Sequence, residues 1–204
     1  KTAEGEEVIR ETEVVVIGGG GAGLAAAASA ASNGAKVILV EKTAALGGNT
    51  VRAGGPYNAV DPARQANIAP ADEASMQKAW ALVNEEPKND RHVELMEELK
   101  ADLEAYENGP KDKLFDSSAL HKLQTYNGGD YNGKIEFIEK LVDESLPVSE
   151  WMAENGVQWT DEITTVPGGL WPRAHLPINA AGYDYIKASE DTARKLGVEI
   201  LLNS

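Results

Sequence analysis

A short apolar run, Val14-Val15-Val16-Ile17, passes directly into Gly18-Gly19-Gly20-Gly21-Ala22-Gly23 and then into an alanine-rich stretch from Leu24 to Ala31. That order spells a buried strand, a tight turn and a helix of small side chains. Gly18 permits the turn, Gly20 lets the backbone approach a pyrophosphate, and Gly23 with Ala27 lets the helix lie close on a sheet. The N-terminus of such a helix, at Gly21 and Ala22, presents unpaired N–H groups and a partial positive charge suited to two phosphates. A second apolar strand, Lys36-Val37-Ile38-Leu39-Val40, follows and ends on Glu41, eighteen residues beyond Gly23. A carboxylate about 20 residues past the glycines is placed to accept hydrogen bonds from a ribose. Because the same contact serves NADH and FAD, these residues alone leave the dinucleotide open.

The next segment narrows the choice. Lys42 follows Glu41, and two further glycine pairs occur in Leu46-Gly47-Gly48-Asn49-Thr50 and Arg52-Ala53-Gly54-Gly55-Pro56-Tyr57-Asn58-Ala59. Glycine permits close approach and positive φ, so this spacing suggests a backbone laid against a long cofactor. On these residues the chain resembles the FAD-binding flavoprotein family of fumarate reductases and succinate dehydrogenases. The resemblance implies an α/β fold, a Rossmann-like FAD-binding domain with a glutathione-reductase-type βαβ start. It implies FAD contacts at Gly18, Gly20, Gly21, Ala22, Gly23, Glu41, Lys42, Gly48, Asn49, Thr50, Ala53, Gly54 and Gly55. Membrane-bound members attach FAD through a histidine in the segment after the second strand, where this chain has Asn49-Thr50 and no histidine before His92. Non-covalent FAD and the soluble branch of flavocytochrome-type fumarate reductases, urocanate reductases and enoate reductases are implied.

Later residues carry the same resemblance. Trp151-Met152-Ala153-Glu154-Asn155-Gly156-Val157 is similar to a family helix end, and Arg173-Ala174-His175-Leu176-Pro177 resembles the Arg-Ser-His-Arg-Pro segment. The acidic stretch at about 88–133, together with Tyr57 to Pro62, is similar to the urocanate-reductase-like branch. In the family, hydride passes from reduced flavin to the β-carbon of an unsaturated carboxylate and an arginine protonates the α-carbon. That arginine is expected beyond Ser204, so no catalytic residue is assigned within this chain. Gly54, Arg173 and His175 are the candidates for substrate contact. For Arg173 and His175 the alternative is a braced loop with hydrogen bonds to nearby carbonyls.

Composition sets outer bounds. The 204 residues are 42% hydrophobic, enough for one sizeable core, and no apolar run approaches the ~20 residues of a membrane span. Zero cysteines exclude disulfides, Fe–S ligation and covalent haem, so electrons must come from elsewhere. The resemblance implies a donor carrying FMN or haem on a separate module. A net charge of −14 argues against nucleic acid as a partner, because polyanions need basic patches. The three histidines lack metal-ligand spacing, and no metal is expected.

Along the chain, residues 1–12 read as a linker or the tail of an upstream module. Residues 13–204 read as the N-terminal portion of an FAD-binding domain carrying the acidic insertion. Helices are expected over 72–86, from Asp90 as N-cap, over 134–143, from Pro147 onward, and over 182–195, with a strand at 198–202. His92 and His121 read as solvated, and Trp171 as the tryptophan best placed to approach a flavin. A fold of this family is incomplete without a C-terminal remainder and a capping domain, so that remainder of the same protein is an expected partner. Within the fold, other FAD oxidoreductases, of the ketosteroid dehydrogenase or aspartate oxidase type, and a non-catalytic cofactor-binding fragment are the competing readings. The resemblance leans toward an extracytoplasmic setting.

Overall fold

The computed structural model describes residues 8–167, 169–179 and 181–204. The glycine motif opens it as a strand, β1 (Val14–Ile17), a helix, α1 (Gly21–Ser32), and a second strand, β2 (Val37–Glu41). β1 and β2 pair in parallel, Val14 opposite Val37 and Ile17 opposite Val40. At the end of the chain a further strand, β6 (Glu199–Leu202), adds to the other side of β2, again in parallel, giving the order β1-β2-β6. The helix before it, α7 (Tyr183–Lys195), lies beside α1. Ala27 and Ala28 are what permit this, since both are fully buried and neither projects beyond a methyl group. Leu24, Leu39, Ile186, Ala193 and Val198 complete the core of this unit. The unit comprises the residues up to Gly55, Met152–Gln158 and Pro177–Ser204.

A second compact unit holds Pro56–Trp151 and Trp159–Leu176. Composition suggested one core, yet here a separate apolar cluster forms, because amphipathic helices bury their faces on each other. These are α3 (Glu73–Leu82), α4 (Asp90–Glu107), α5 (Ser118–Gly128) and most of α6 (Ile135–Glu154), preceded by the short α2 (Pro62–Gln65). Leu95, Leu99 and Leu103 of α4 meet Leu120 and Leu123 of α5 and Ile138 and Val142 of α6. The same unit carries a small sheet absent from the sequence reading, β3 (Tyr57–Asn58), β5 (Ala174–Pro177) and β4 (Trp159–Thr164), in the order β3-β5-β4.

Four local expectations change. The N-cap of α4 is Asn89, whose side chain accepts from the His92 N–H at 2.9 Å, and Asp90 is the first helical residue. Either residue type suits a cap, and only the extended backbone at Asn89 decides between them. The helices expected over 134–143 and after Pro147 are one helix, with Pro147 inside α6. Proline forbids one backbone hydrogen bond but can be carried where packing on both sides holds the helix. His92 is fully buried rather than solvated, and its Nδ1 accepts from the Lys88 N–H at 3.2 Å. Its ring meets Tyr126 edge-on, with centroids 5.3 Å apart, which supplies the apolar surroundings that its acidic sequence neighbours did not suggest. His121, half-buried, has an Nδ1 shielded from water with no hydrogen-bond partner.

Candidate functional site

The turn between β1 and α1 is closed by contacts that exclude side chains. A Cβ on Gly23 would sit 1.8 Å from the Gly18 carbonyl oxygen, and Gly18 itself has φ +100°. Both positions therefore demand glycine. The constraint at Gly23 comes first from the turn it folds back on and only second from the sheet, where Val16 Cγ1 would be 3.5 Å away. At Gly20 a Cβ would make only ordinary contact, 3.9 Å from the Gly47 carbonyl oxygen, so the turn itself does not exclude a side chain there. Gly20 is the N-cap of α1 and supplies no side-chain cap, and the first turn holds no acidic residue. The first turn, Gly21, Ala22 and Gly23, thus carries no negative charge of its own, which suits an anion-binding helix end.

Glu41 closes β2 and is buried. Its carboxylate accepts from the Gly19 N–H at 2.7 Å, from the Thr43 N–H at 2.8 Å and from the Thr43 hydroxyl at 2.7 Å. These bonds, led by the one from Gly19, hold the carboxyl below the usual range for glutamate. The glycine turn and the ribose-binding candidate are thereby locked together. Lys42 extends from the same position into solvent. Thr43 and Gly19 had no part in the sequence reading. Gly19 is nevertheless restricted, because a Cβ there would lie 2.3 Å from Leu46 Cδ2.

The second glycine pair folds back onto the first. Gly47 bridges Gly20 in parallel fashion and its N–H donates to the Gly19 carbonyl at 2.8 Å. Gly47 and Gly48 have φ +117° and +50°. Asn49 precedes a single 3-10 turn over Thr50–Arg52, and the Thr50 hydroxyl oxygen accepts from the Gly21 N–H at 3.2 Å. Ala53 caps that turn and Gly54 follows. Gly55 adopts φ +92°. Gly18, Gly20, Gly21, Ala22, Gly23, Glu41, Lys42, Gly48, Asn49, Thr50, Ala53, Gly54 and Gly55 all belong to one unit of the fold.

Arg173 and His175 belong to the other unit; Arg173 lies in the connection just before β5, and His175 lies within that strand rather than on a loop. β5 begins at Ala174, between the two, and pairs antiparallel with β3 through Tyr57 opposite His175 and Asn58 opposite Ala174. Arg173 is buried and its guanidinium is fully engaged. Nε donates to both oxygens of Asp116, Nη2 also pairs with Asp116, and Nη1 donates to the Gln124 amide oxygen. His175 is buried as well. Its Nδ1 faces the carbonyls of Tyr57 and Arg173 at 3.2 and 3.1 Å, and its Nε2 faces Asp61 at 3.1 Å. Burial raises the Asp61 carboxyl, but the Arg64 N–H and the His175 ring outweigh it and leave it below the usual range. Both side chains are thus spent on internal partners, the bracing alternative of the sequence reading. Trp171 is likewise core, with its indole N–H donating to the Phe115 carbonyl at 2.8 Å.

Comparison with known proteins follows the same lines. A family model described as an FAD binding domain matches residues 13–100. Over 164 residues the chain is 39% identical to NADH:acrylate oxidoreductase of Vibrio harveyi, a match covering 74% of this chain and 16% of that protein. Residues 13–100 belong to that FAD binding domain family, and the chain is similar to the flavoproteins of fumarate reductases and succinate dehydrogenases. Its flavin is FAD, and the helix start without acidic residues and the side-chain-free turn fit that dinucleotide.

Solved structures of this flavoprotein type share the fold. The open conformation of a flavocytochrome c3 fumarate reductase superposes with TM-score 0.66 at 23% identity, covering 94% of this chain and 26% of the other. A 3-ketosteroid-Δ4-(5α)-dehydrogenase from Rhodococcus jostii RHA1 gives 0.60 at 23% identity, covering 97% and 38%. Quinol fumarate reductase of E. coli gives 0.59 at 18% identity, covering 94% and 25%. The flavoprotein chain described here therefore spans about a quarter to two fifths of these structures and less of the acrylate enzyme.

Proposed function

We propose that this chain is the FAD-binding part of a reductase that acts on the C=C bond of an unsaturated carboxylate such as acrylate, fumarate or urocanate. The observation that carries the reading is the 39% identity to a protein named for acrylate reduction, at a level well above that of the fumarate reductase structures. When bound, FAD supplies hydride transfer. The chain's own residues bind and orient. Gly20, Gly21, Ala22 and Gly23 hold the pyrophosphate at the α1 helix end through backbone N–H groups, while Gly18, whose own N–H donates to the Val40 carbonyl, shapes the turn before them. Glu41 receives the ribose hydroxyls, exchanging some of its present partners Gly19 and Thr43 for them. Lys42, Gly48, Asn49, Thr50 and Ala53 line the path of the cofactor, and Gly54 and Gly55 lie against its ring and the substrate carboxylate. Arg173 and His175 brace the fold, since their polar atoms are occupied. Electrons arrive from a donor carrying flavin or haem outside this chain.

Two measurements test this. Purified protein should show bands near the ~450 nm region that oxidised flavin gives, released intact on denaturation. Glu41→Ala should lose most of that flavin, because the ribose hydroxyls lose their buried acceptor. Flavin content equal to wild type in that variant would remove Glu41 from the site. Reduced-dye assays on the whole protein with acrylate, fumarate, urocanate and cinnamate then identify the substrate. Activity confined to a steroid would overturn the enoate reading.

A further inference from the structure

The glycine segment proposed to face the flavin is held by residues from the far end of the chain. The Gly55–Pro56 peptide has no N–H, so the Gly55 carbonyl is its sole hydrogen-bonding group. That carbonyl accepts from the hydroxyl of Tyr185, on the first turn of α7. Gly55 also lies so close to Ala181 that a Cβ would come within 2.9 Å of the Ala181 carbonyl oxygen. Next to it, a Cβ on Gly182 would lie 2.0 Å from the Thr50 carbonyl oxygen. Gly182 is the N-cap of α7, so the helix begins in direct backbone contact with the turn that bonds Gly21.

Ala181 adopts φ +65°, a left-handed conformation that alanine takes only when its surroundings impose it. On one side Asn179 donates to both oxygens of the buried Asp184 at 3.0 and 3.2 Å, and on the other Tyr185 ties to Gly55. These contacts form a clamp whose product is a fixed Gly54–Gly55 backbone. We propose that Tyr185 is a positioning residue for the flavin, setting through the Gly55 carbonyl the direction in which the Gly54–Gly55 backbone meets the ring. This rests on the FAD reading above. The signal in the sequence was slight, since a tyrosine in a helix start reads as an ordinary amphipathic position.

The test is a titration of flavin-freed protein with FAD, comparing wild type, Tyr185→Phe and Tyr183→Phe, the last an exposed neighbour on the same turn. Losing one hydrogen bond of this kind predicts an FAD Kd higher by about three- to tenfold in Tyr185→Phe. Its visible flavin spectrum should also shift, with the denaturant midpoint of the flavin-free protein and the behaviour of Tyr183→Phe unchanged. An identical Kd and spectrum in Tyr185→Phe would overturn the positioning role while leaving the FAD site intact. A lowered midpoint without spectral change would make Tyr185 a structural residue only. If wild type takes up no FAD, the FAD reading itself falls and the positioning role with it.

Discussion

At the scale of single residues, the buried ion pair of Arg173 with Asp116 is the clearest example of one sequence pattern admitting two roles. Both side chains are almost wholly out of water, and all the guanidinium's bonds go to Asp116 and Gln124. Arg173→Met should therefore destabilise the fold by about 3–5 kcal/mol, the usual consequence of leaving a buried charge without its partner. Urea unfolding reads this directly, and a stable variant impaired only in turnover would return Arg173 to the substrate. His121 gives a second residue-scale prediction. Burial, with the nearby Arg173 charge adding to it, pushes its pKa down to about 3. The unfolded chain then binds a proton, near the ordinary histidine value of ~6.5, that the folded protein refuses. Stability contributed in this way is complete above that value and is lost as pH falls toward 3, by up to about 1.4 kcal/mol per pH unit. Burial lowers His92 too, so both act in the same direction. Unfolding midpoints measured from pH 7 to pH 5 should fall, and His121→Gln should flatten part of that slope.

At the scale of elements, the glycine strand-turn-helix and the α7–β6 pair were legible because period and glycine spacing are local signals. Their boundaries shifted by a residue or so, as at α7, which starts at Tyr183 with Gly182 as its cap. The small sheet β3-β5-β4 was not legible. β3 is only Tyr57–Asn58, and a strand that short is defined by its partner across a long sequence gap, here Ala174 and His175. The caps illustrate the same limit. Asn89 and Asp90 are chemically equivalent candidates, yet Asn89 alone has the extended backbone and accepts from the His92 N–H. Asn89→Ala should accordingly cost about 1 kcal/mol of stability, with Asp90→Ala costing less, in thermal or urea unfolding. Equal losses in the two variants would contradict the assignment of the cap. Pro147 within α6 shows that a single helix breaker in sequence yields to tertiary packing, with Ile138 and Val142 buried before it and Met152 buried after it.

At the scale of the whole molecule, charge and core follow different rules. The formal charge of −14 makes mutual repulsion a destabilising contribution that screening relieves. Raising NaCl from about 0.02 M to about 0.3 M, which shortens the screening length severalfold, should raise the thermal midpoint; a drop would mean that specific ion pairs outweigh the general field. The sequence by itself determined the strand-turn-helix, its glycines, the terminal Glu41 and the resemblance to FAD-binding flavoproteins, because each depends chiefly on residues near one another in the chain. Tertiary structure alone decided what those residues are joined to. Thr43 and Gly19 hold Glu41, and Tyr185 and Ala181 hold Gly55 across some 130 residues. Arg173 and His175 spend their hydrogen bonds inside a second core. A hydrogen bond or a close backbone contact is satisfied only when both partners meet in space, and nothing in local periodicity records which distant partner that will be.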